Sequence, residues 1–360
     1  MQIGIVGLPF SGKSTLFQTI TKTHIDPAAL AKSETHQAMI KVPDERLDKL
    51  TDIFQPKKKV NATIDVIDVV GLKKGDSGSI QFTSNFLSKV KTNDALIQVV
   101  RLFENESVPH PEGSVNMMRD IEEFETEFIL SDMVIVEKRI ASIKKQILKI
   151  KDEQLKRELP VLEKCYELLQ NETPLRETHL RDDELKLLRS YQLLSAKPML
   201  IALNLDENQV NDVDKYLNDL ARKKLGSNTK ALAFFGKIEM EMSELSDEDA
   251  RVFMEEYGIK ESALNNIIRE AYELQGLQSF FTVGEDECRA WTIKKGMNAQ
   301  EAAGEIHTDF FKKFIRAEVV HYDDFIADGS FAKAKENGHW RLEGKEYVVR
   351  DGDIISIRHG

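Results

Sequence analysis

Cysteine is nearly absent from this 360-residue chain: Cys165 and Cys288 are the only two, far apart and without the spacing of metal ligands. A disulfide framework and a thiolate metal site are thereby excluded, and the usage suits a reducing compartment. No apolar run approaches the roughly 18 to 20 residues that span a bilayer, and the start shows no basic segment followed by a cleavable apolar stretch. The expectation is a soluble, cytoplasmic protein with no membrane partner. Glycine (19) and proline (9) are too scarce for a collagenous or low-complexity chain. Positive charge is in deficit too, since 50 basic against 61 acidic side chains leave −11. That balance argues against a duplex-coating role and leaves room for a local basic face. What is present, 41% hydrophobic residues over 360 positions, is enough for a full core and about two to three domains.

Short apolar runs suit buried strands at Gln2–Val6, Ile64–Ile67, Ala95–Val100, Met199–Leu203 and Ala231–Phe235. Separated by helical or variable segments, they predict an α/β sheet with phosphate chemistry at the carboxyl ends of its strands. Between the third and fourth runs the texture changes. Ile140, Ile143, Ile147 and Ile150, then Leu155, Leu159, Leu162, Tyr166 and Leu169, form two heptad-like seams. The phase break near Lys151-Asp152-Glu153 predicts an inserted helical hairpin, with Pro160 placed for the first turn of its returning helix or for a kink in it. From about Leu277 onward short alternating runs return, among them Phe280–Thr282, Ala290–Ile293, Ile315–Val320, Glu346–Val349 and Ile354–Ile357. They predict a small α+β domain whose one clear helix is Ala299–Ile306. The expected division is 1–120 with 195–276 as a split nucleotide domain, 121–194 as the hairpin and 277–360 as the C-terminal domain.

Gly7-Leu8-Pro9-Phe10-Ser11-Gly12-Lys13-Ser14-Thr15 satisfies G-x-x-x-x-G-K-[ST], with a strand before it and a helix after. Backbone amides of such a loop curl round phosphates, Lys13 supplies a point charge to the β and γ groups, and the Ser14 hydroxyl ligates Mg²⁺. The second Mg²⁺ element is expected at Asp68, which opens D-x-x-G with Gly71 as the γ-phosphate contact. Leu72 stands where small regulatory GTPases carry the glutamine that orients water, so turnover should be slow. Base selection is expected after the fourth strand. There Asn204-Leu205-Asp206-Glu207 replaces N-K-x-D, with Leu205 in place of lysine and Glu207 one methylene too long for guanine.

These residues converge on a resemblance to the YchF/Obg-like ATPase family. It extends over Arg101-x-Phe103-Glu104-Asn105, the hairpin, Lys237-Ile238-Glu239, and a C-terminal run including Arg289-Ala290-Trp291-Thr292-Ile293-Lys294-Lys295-Gly296 and Ala302-Ala303-Gly304-x-Ile306-His307-Thr308-Asp309-Phe310. The resemblance implies a P-loop NTPase domain, an inserted coiled-coil hairpin and a β-grasp-like TGS domain. It also implies ATP preferred over GTP, Mg²⁺ as cofactor, the ribosome or ribosomal RNA as partner and a monomeric state. Phe235, Gly236 and Lys237 stand at the family's S-A-K, where Phe235 could add an aromatic wall. His110 stands where relatives carry a histidine implicated in hydrolysis, which would join Lys13 and Gly71 as catalytic. Thr35 lies in a divergent switch I as a Mg²⁺ or γ-phosphate contact. Phe10 replaces the family's P-loop asparagine, which removes the expectation of a potassium-assisted mechanism. Lys294, Lys295, Lys312, Lys313 and Arg316 offer a local basic face for RNA. Two other readings remain open, a ribosome-associated adaptor with little hydrolysis and a GTP-specific regulator.

Overall fold

The computed structural model describes residues 2–22, 35–69, 72–74, 80–223, 225–256 and 261–360. The chain forms two compact units, Met1–Ala38 with Asp65–Leu274, and Met39–Ile64 with Gln275–Gly360.

The first unit is organised by a sheet in the order His36–Lys41, Thr63–Asp68, Gln2–Gly7, Ala95–Arg101, Met199–Asn204, Thr229–Phe234. Gln2–Gly7 pairs in parallel with both of its neighbours, and Met199–Asn204 does the same. Every residue of Ala95–Arg101 and of Met199–Asn204 is buried. That is why both read as largely apolar runs without alternation, polar only at Gln98, Arg101 and Asn204: a central parallel strand is covered on both faces. The sequence reading did not anticipate His36–Lys41, an edge strand whose single fully buried residue is Ile40.

The hairpin is formed by Met117–Ile147 and Glu153–Gln170. Each helix starts on a side-chain cap, Asn116 accepting from the Arg119 amide and Asp152 from those of Gln154 and Leu155. Ile140, Ile143 and Ile147 face Leu155, Leu162, Cys165 and Leu169 in one apolar cluster. Ile150 leaves the seam, being 61% exposed at the turn. Pro160 is not in the first turn, because capping by Asp152 starts the helix at Glu153 and leaves the proline inside it.

The second unit holds a sheet in the order Arg341–Glu343, Phe314–His321, Asp353–His359, Leu277–Thr282, Glu287–Lys294, Lys58–Val60. Helix Ala299–Ile306 opens on a capping box between Asn298 and Glu301. Three shorter helices, Thr308–Lys312, Tyr322–Asp328 and Phe331–Glu336, join it. Glu346–Val349 is not a strand; Val348 makes only an isolated bridge to Asn298. The grouping of residues also departs from the expected division at 39–64. Lys58–Val60 adds in parallel to Glu287–Lys294 through Lys58, Lys59 and Val60 opposite Glu287, Cys288 and Arg289. Helix Glu45–Phe54 joins the same unit through Arg46, 2.8 Å from Asp351, and Phe54, whose ring stacks on Phe325 at 5.6 Å. The hairpin, expected as a domain of its own, groups with the first unit. Among the described residues no helix is long and apolar enough to cross a membrane.

Candidate nucleotide site

The phosphate-binding loop arises where a buried strand, Gln2–Gly7, must reverse into helix Lys13–Thr21. Gly7 and Gly12 have φ of 152° and 97°. A side chain on Gly7 would run into the Val99 carbonyl, and one on Gly12 into the Asn204 amide, so close approach as well as conformation requires glycine at both. The free amides of the first helical turn face the loop and make an anion-binding end. Lys13 Nζ donates to the Leu8 carbonyl at 2.9 Å, bending back over the loop. Burial pulls its pKa down to about 8, against the opposing pull of Asp68. Ser14 Oγ donates to Asp68 Oδ2 at 3.0 Å. Asp68 is fully buried, and burial raises its pKa although Lys13, Ser14 and His36 favour the charged form. Its Oδ1 has no hydrogen-bond partner among the described residues.

A cavity of about 500 Å³ opens over this loop, with Phe10, Gly12, Lys13, Ser14 and Thr15 on the phosphate side. Phe103, Glu104, Asn105 and Val108 form a second wall, and Leu205, Asp206, Gly236, Lys237 and Met240 a third. Asn204 braces the walls: its Nδ2 donates to the Ser11 carbonyl and its Oδ1 accepts from the Gly236 amide, each at 3.0 Å. Leu8 and Ser11 are buried beneath the loop, at 4% and 1% exposure.

Several expected contacts lie elsewhere. Glu207 does not line the cavity; it begins a short 3-10 helix and pairs with Lys237 at 3.6 Å. The neighbouring Asp206 lines it instead, with Oδ1 engaged as the cap of that helix by the Asn208 amide. Phe235 packs against the apolar core, so the aromatic walls are Phe10 and Phe103. Thr35 is exposed and outside the lining, whereas the adjacent His36 is the residue whose charge reaches Asp68. His110 is 8% exposed and outside the cavity. Its Nδ1 accepts from the Glu112 amide at 3.2 Å and its Nε2 faces Asp120 Oδ2 at 3.0 Å, so both ring nitrogens point at protein groups away from the cavity. Burial lowers its pKa; Asp120 opposes that, while Arg119 and Arg101 reinforce it. Gly71 lies outside the described residues.

Sequence reasoning did not assign Phe103, Glu104, Asn105, Val108 or Met240 to the site. The available signal was positional: Phe103 to Val108 follow the carboxyl end of a strand beside the P-loop strand. A larger cavity, about 820 Å³, lies at the hairpin root. Its buried charge is already matched internally, Arg176 pairing with Glu125 and Thr229.

A loop of this geometry at the carboxyl edge of a parallel sheet, with a carboxylate at its serine and a split sheet domain carrying a helical hairpin, defines a P-loop nucleoside-triphosphate-binding protein. Residues 2–164 match the family model MMR_HSR1, 50S ribosome-binding GTPase, and residues 277–360 match YchF-GTPase_C, Protein of unknown function (DUF933). The chain belongs to the YchF family. It is 42% identical to the "Ribosome-binding ATPase YchF" of Bacillus subtilis over 99% of this chain and 98% of that protein. It is 39% identical to the protein so named in Pasteurella multocida, over 99% and 98%. The solved structure of the Schizosaccharomyces pombe YchF GTPase superposes with a TM-score of 0.86 at 33% identity, over 99% of this chain and 97% of that one.

Proposed function

We propose that the protein binds and slowly hydrolyses ATP at this site and associates with the ribosome according to its nucleotide state. The observation that carries the reading is the P-loop with Lys13 folded over it and Ser14 bonded to a buried Asp68. The amides after Gly12 would hold the phosphates, and Lys13, released from the Leu8 carbonyl, would place its charge on them. Asp68 Oδ1, buried and unpartnered among the described residues, and the Ser14 hydroxyl fit a hydrated Mg²⁺. When bound, that ion neutralises charge developing on the transferred phosphoryl group. Leu72 packs against the apolar core and offers no group to orient water, which supports slow turnover.

Base preference follows from the third wall. Guanine needs a carboxylate free to accept from N1–H and the 2-amino group together. Here Glu207 is turned to Lys237, and Oδ1 of Asp206 is taken by the backbone and side-chain amides of Asn208, which leaves neither carboxylate with both oxygens free. The residues present therefore favour ATP over GTP. For the ribosome, Lys294 and Lys295 at the end of Glu287–Lys294, and Lys312, Lys313 and Arg316 at the start of Phe314–His321, are all exposed, and we assign ribosomal RNA to these side chains of the C-terminal, TGS-like unit. The protein would act as a monomer in the cytoplasm.

One experiment tests the reading: calorimetric titration of the protein and of Lys13→Ala with Mg·ATP and Mg·GTP, with single-turnover hydrolysis and ribosome co-sedimentation on the same samples. Expected are ATP binding at least about tenfold tighter than GTP, slow hydrolysis, and loss of both in Lys13→Ala. Ribosome association should differ between the two proteins only when ATP is present. Unchanged ATP affinity in Lys13→Ala, or equal affinity for both nucleotides, would overturn the assignment.

A further inference from the structure

Arg101 ends the strand Ala95–Arg101 and is 2% exposed, among the largest fully buried side chains of the protein. No carboxylate is bonded to it among the described residues. Its Nε donates to the Phe103 carbonyl at 2.9 Å and its Nη2 to the Val108 carbonyl at 2.8 Å. Its guanidinium carbon lies 4.5 Å from the centroid of the Phe103 ring, and Nη1 has no partner among the described residues. Burying a guanidinium so incompletely matched is costly for the fold, and an apolar side chain of similar volume would serve stability as well or better.

What the arrangement secures is a loop. Phe103 and Val108 both line the nucleotide cavity, on a different wall from Leu205 and Gly236, and Arg101 does not line it. One side chain thus ties together the two ends of the 103–108 turn from behind and stacks on the ring presented in front. Beyond Val108 the same loop has a second tether, His110 against Asp120. We propose that Arg101 is a positioning residue for base recognition: by clamping the carbonyls of Phe103 and Val108 it fixes the second wall of the cavity, which encloses the base together with the third, while the phosphate-binding loop is assembled without it. The inference rests on the nucleotide-site reading above and assigns a selectivity device to a residue that touches no substrate.

The planar fork is needed because two carbonyls five residues apart are reached at once, in addition to the ring. A lysine ammonium is a single point and cannot make the same three contacts. A methionine fills similar volume with none of them.

The test compares Arg101→Met and Arg101→Lys with the unaltered chain, using Mg·ATP, Mg·GTP and inorganic tripolyphosphate as titrants. Thermal melting and hydrogen exchange of residues 102–113 are followed in parallel. The expected result for Arg101→Met is a melting temperature equal to or above that of the parent, faster exchange in 102–113, and ATP affinity lower by about tenfold with the ATP-to-GTP ratio reduced. Tripolyphosphate affinity should be unchanged, because it uses only the P-loop. Arg101→Lys should fall between the two and serves if the methionine variant does not fold. An unchanged ATP affinity overturns the proposal. So does an equal loss for ATP and tripolyphosphate, which would mark a general structural role. Failure of the underlying reading looks different: the unaltered protein would then bind ATP no better than tripolyphosphate.

Discussion

Lys13 is the residue whose chemistry is most exposed to measurement. Burial holds its pKa near 8, and ordinary lysine titrates at 10.5. Phosphate groups favour the charged ammonium, so bound nucleotide raises that pKa, and the free protein must gain a proton on binding wherever Lys13 is neutral. ATP affinity should therefore be flat below about pH 8 and fall as pH rises above it, by up to about tenfold per unit. Titrations in two buffers of different ionisation enthalpy will read the proton uptake directly; buffer-independent heats at pH 9 would contradict the assignment. Phe10 gives a second expectation. It sits at φ 64° with 62% of its surface exposed, a left-handed conformation that a bulky side chain adopts only at a cost and asparagine accepts readily. Phe10→Asn should raise stability by about 1 kcal/mol, seen as a higher denaturant midpoint with an unaltered slope. The P-loop residues were legible in the sequence because spacing alone fixes a loop that closes on its own helix. Glu207 was not, since one residue decides which of two adjacent carboxylates faces the cavity, and the cap made by Asp206 determines that.

At the scale of elements, the hairpin shows what periodicity reveals and where it stops. The seam from Ile140 to Ile147 against Leu155 to Leu169 follows from heptad spacing, and Ile150 falls out of it because the chain has already begun to turn. Pro160 is exposed, so water can satisfy the carbonyl its missing amide leaves free, and the helix continues through it. Polar contacts between the helices had no signature in the sequence. Arg139 grips Glu158 through two bonds, 2.7 and 2.9 Å, and Tyr191 adds its hydroxyl to the same carboxylate. Those bonds hold Glu158 below the ordinary carboxylate value of 4.5, so their stabilisation is complete above that pH and is lost as pH falls through the lowered value. Glu158→Gln should destabilise the protein by about 1 kcal/mol at pH 7, a figure kept small because Arg139 is partly solvated. The difference should shrink and then vanish as pH falls through that lowered value; a deficit that persists once the carboxyl is protonated would trace to packing and not to charge.

At the scale of the whole molecule, both tryptophans, Trp291 and Trp340, belong to the second unit, while the nucleotide site belongs to the first. Mg·ATP at a hundredfold excess over its Kd stabilises what it binds by about 2.7 kcal/mol. Helix melting followed by circular dichroism should move upward, and the tryptophan fluorescence transition should stay in place; equal shifts would mean that the two units melt as one. Sequence reading missed the contribution of Lys58–Val60 to the second unit, because Lys58-Lys59-Val60 is too short and too polar to read as a strand. That contribution has a consequence for how the chain is made. Helix Glu45–Phe54 and strand Lys58–Val60 leave the ribosome early, yet Glu287–Lys294, which completes their sheet, and Phe325 and Asp351, which receive Phe54 and Arg46, come more than 200 residues later. At synthesis rates of about 5 to 20 residues per second, the early segment waits roughly 10 to 60 seconds for its partners. A gene fragment beginning at Gln275 would encode a sheet lacking its edge strand, and supplying 39–64 as a separate peptide should restore it.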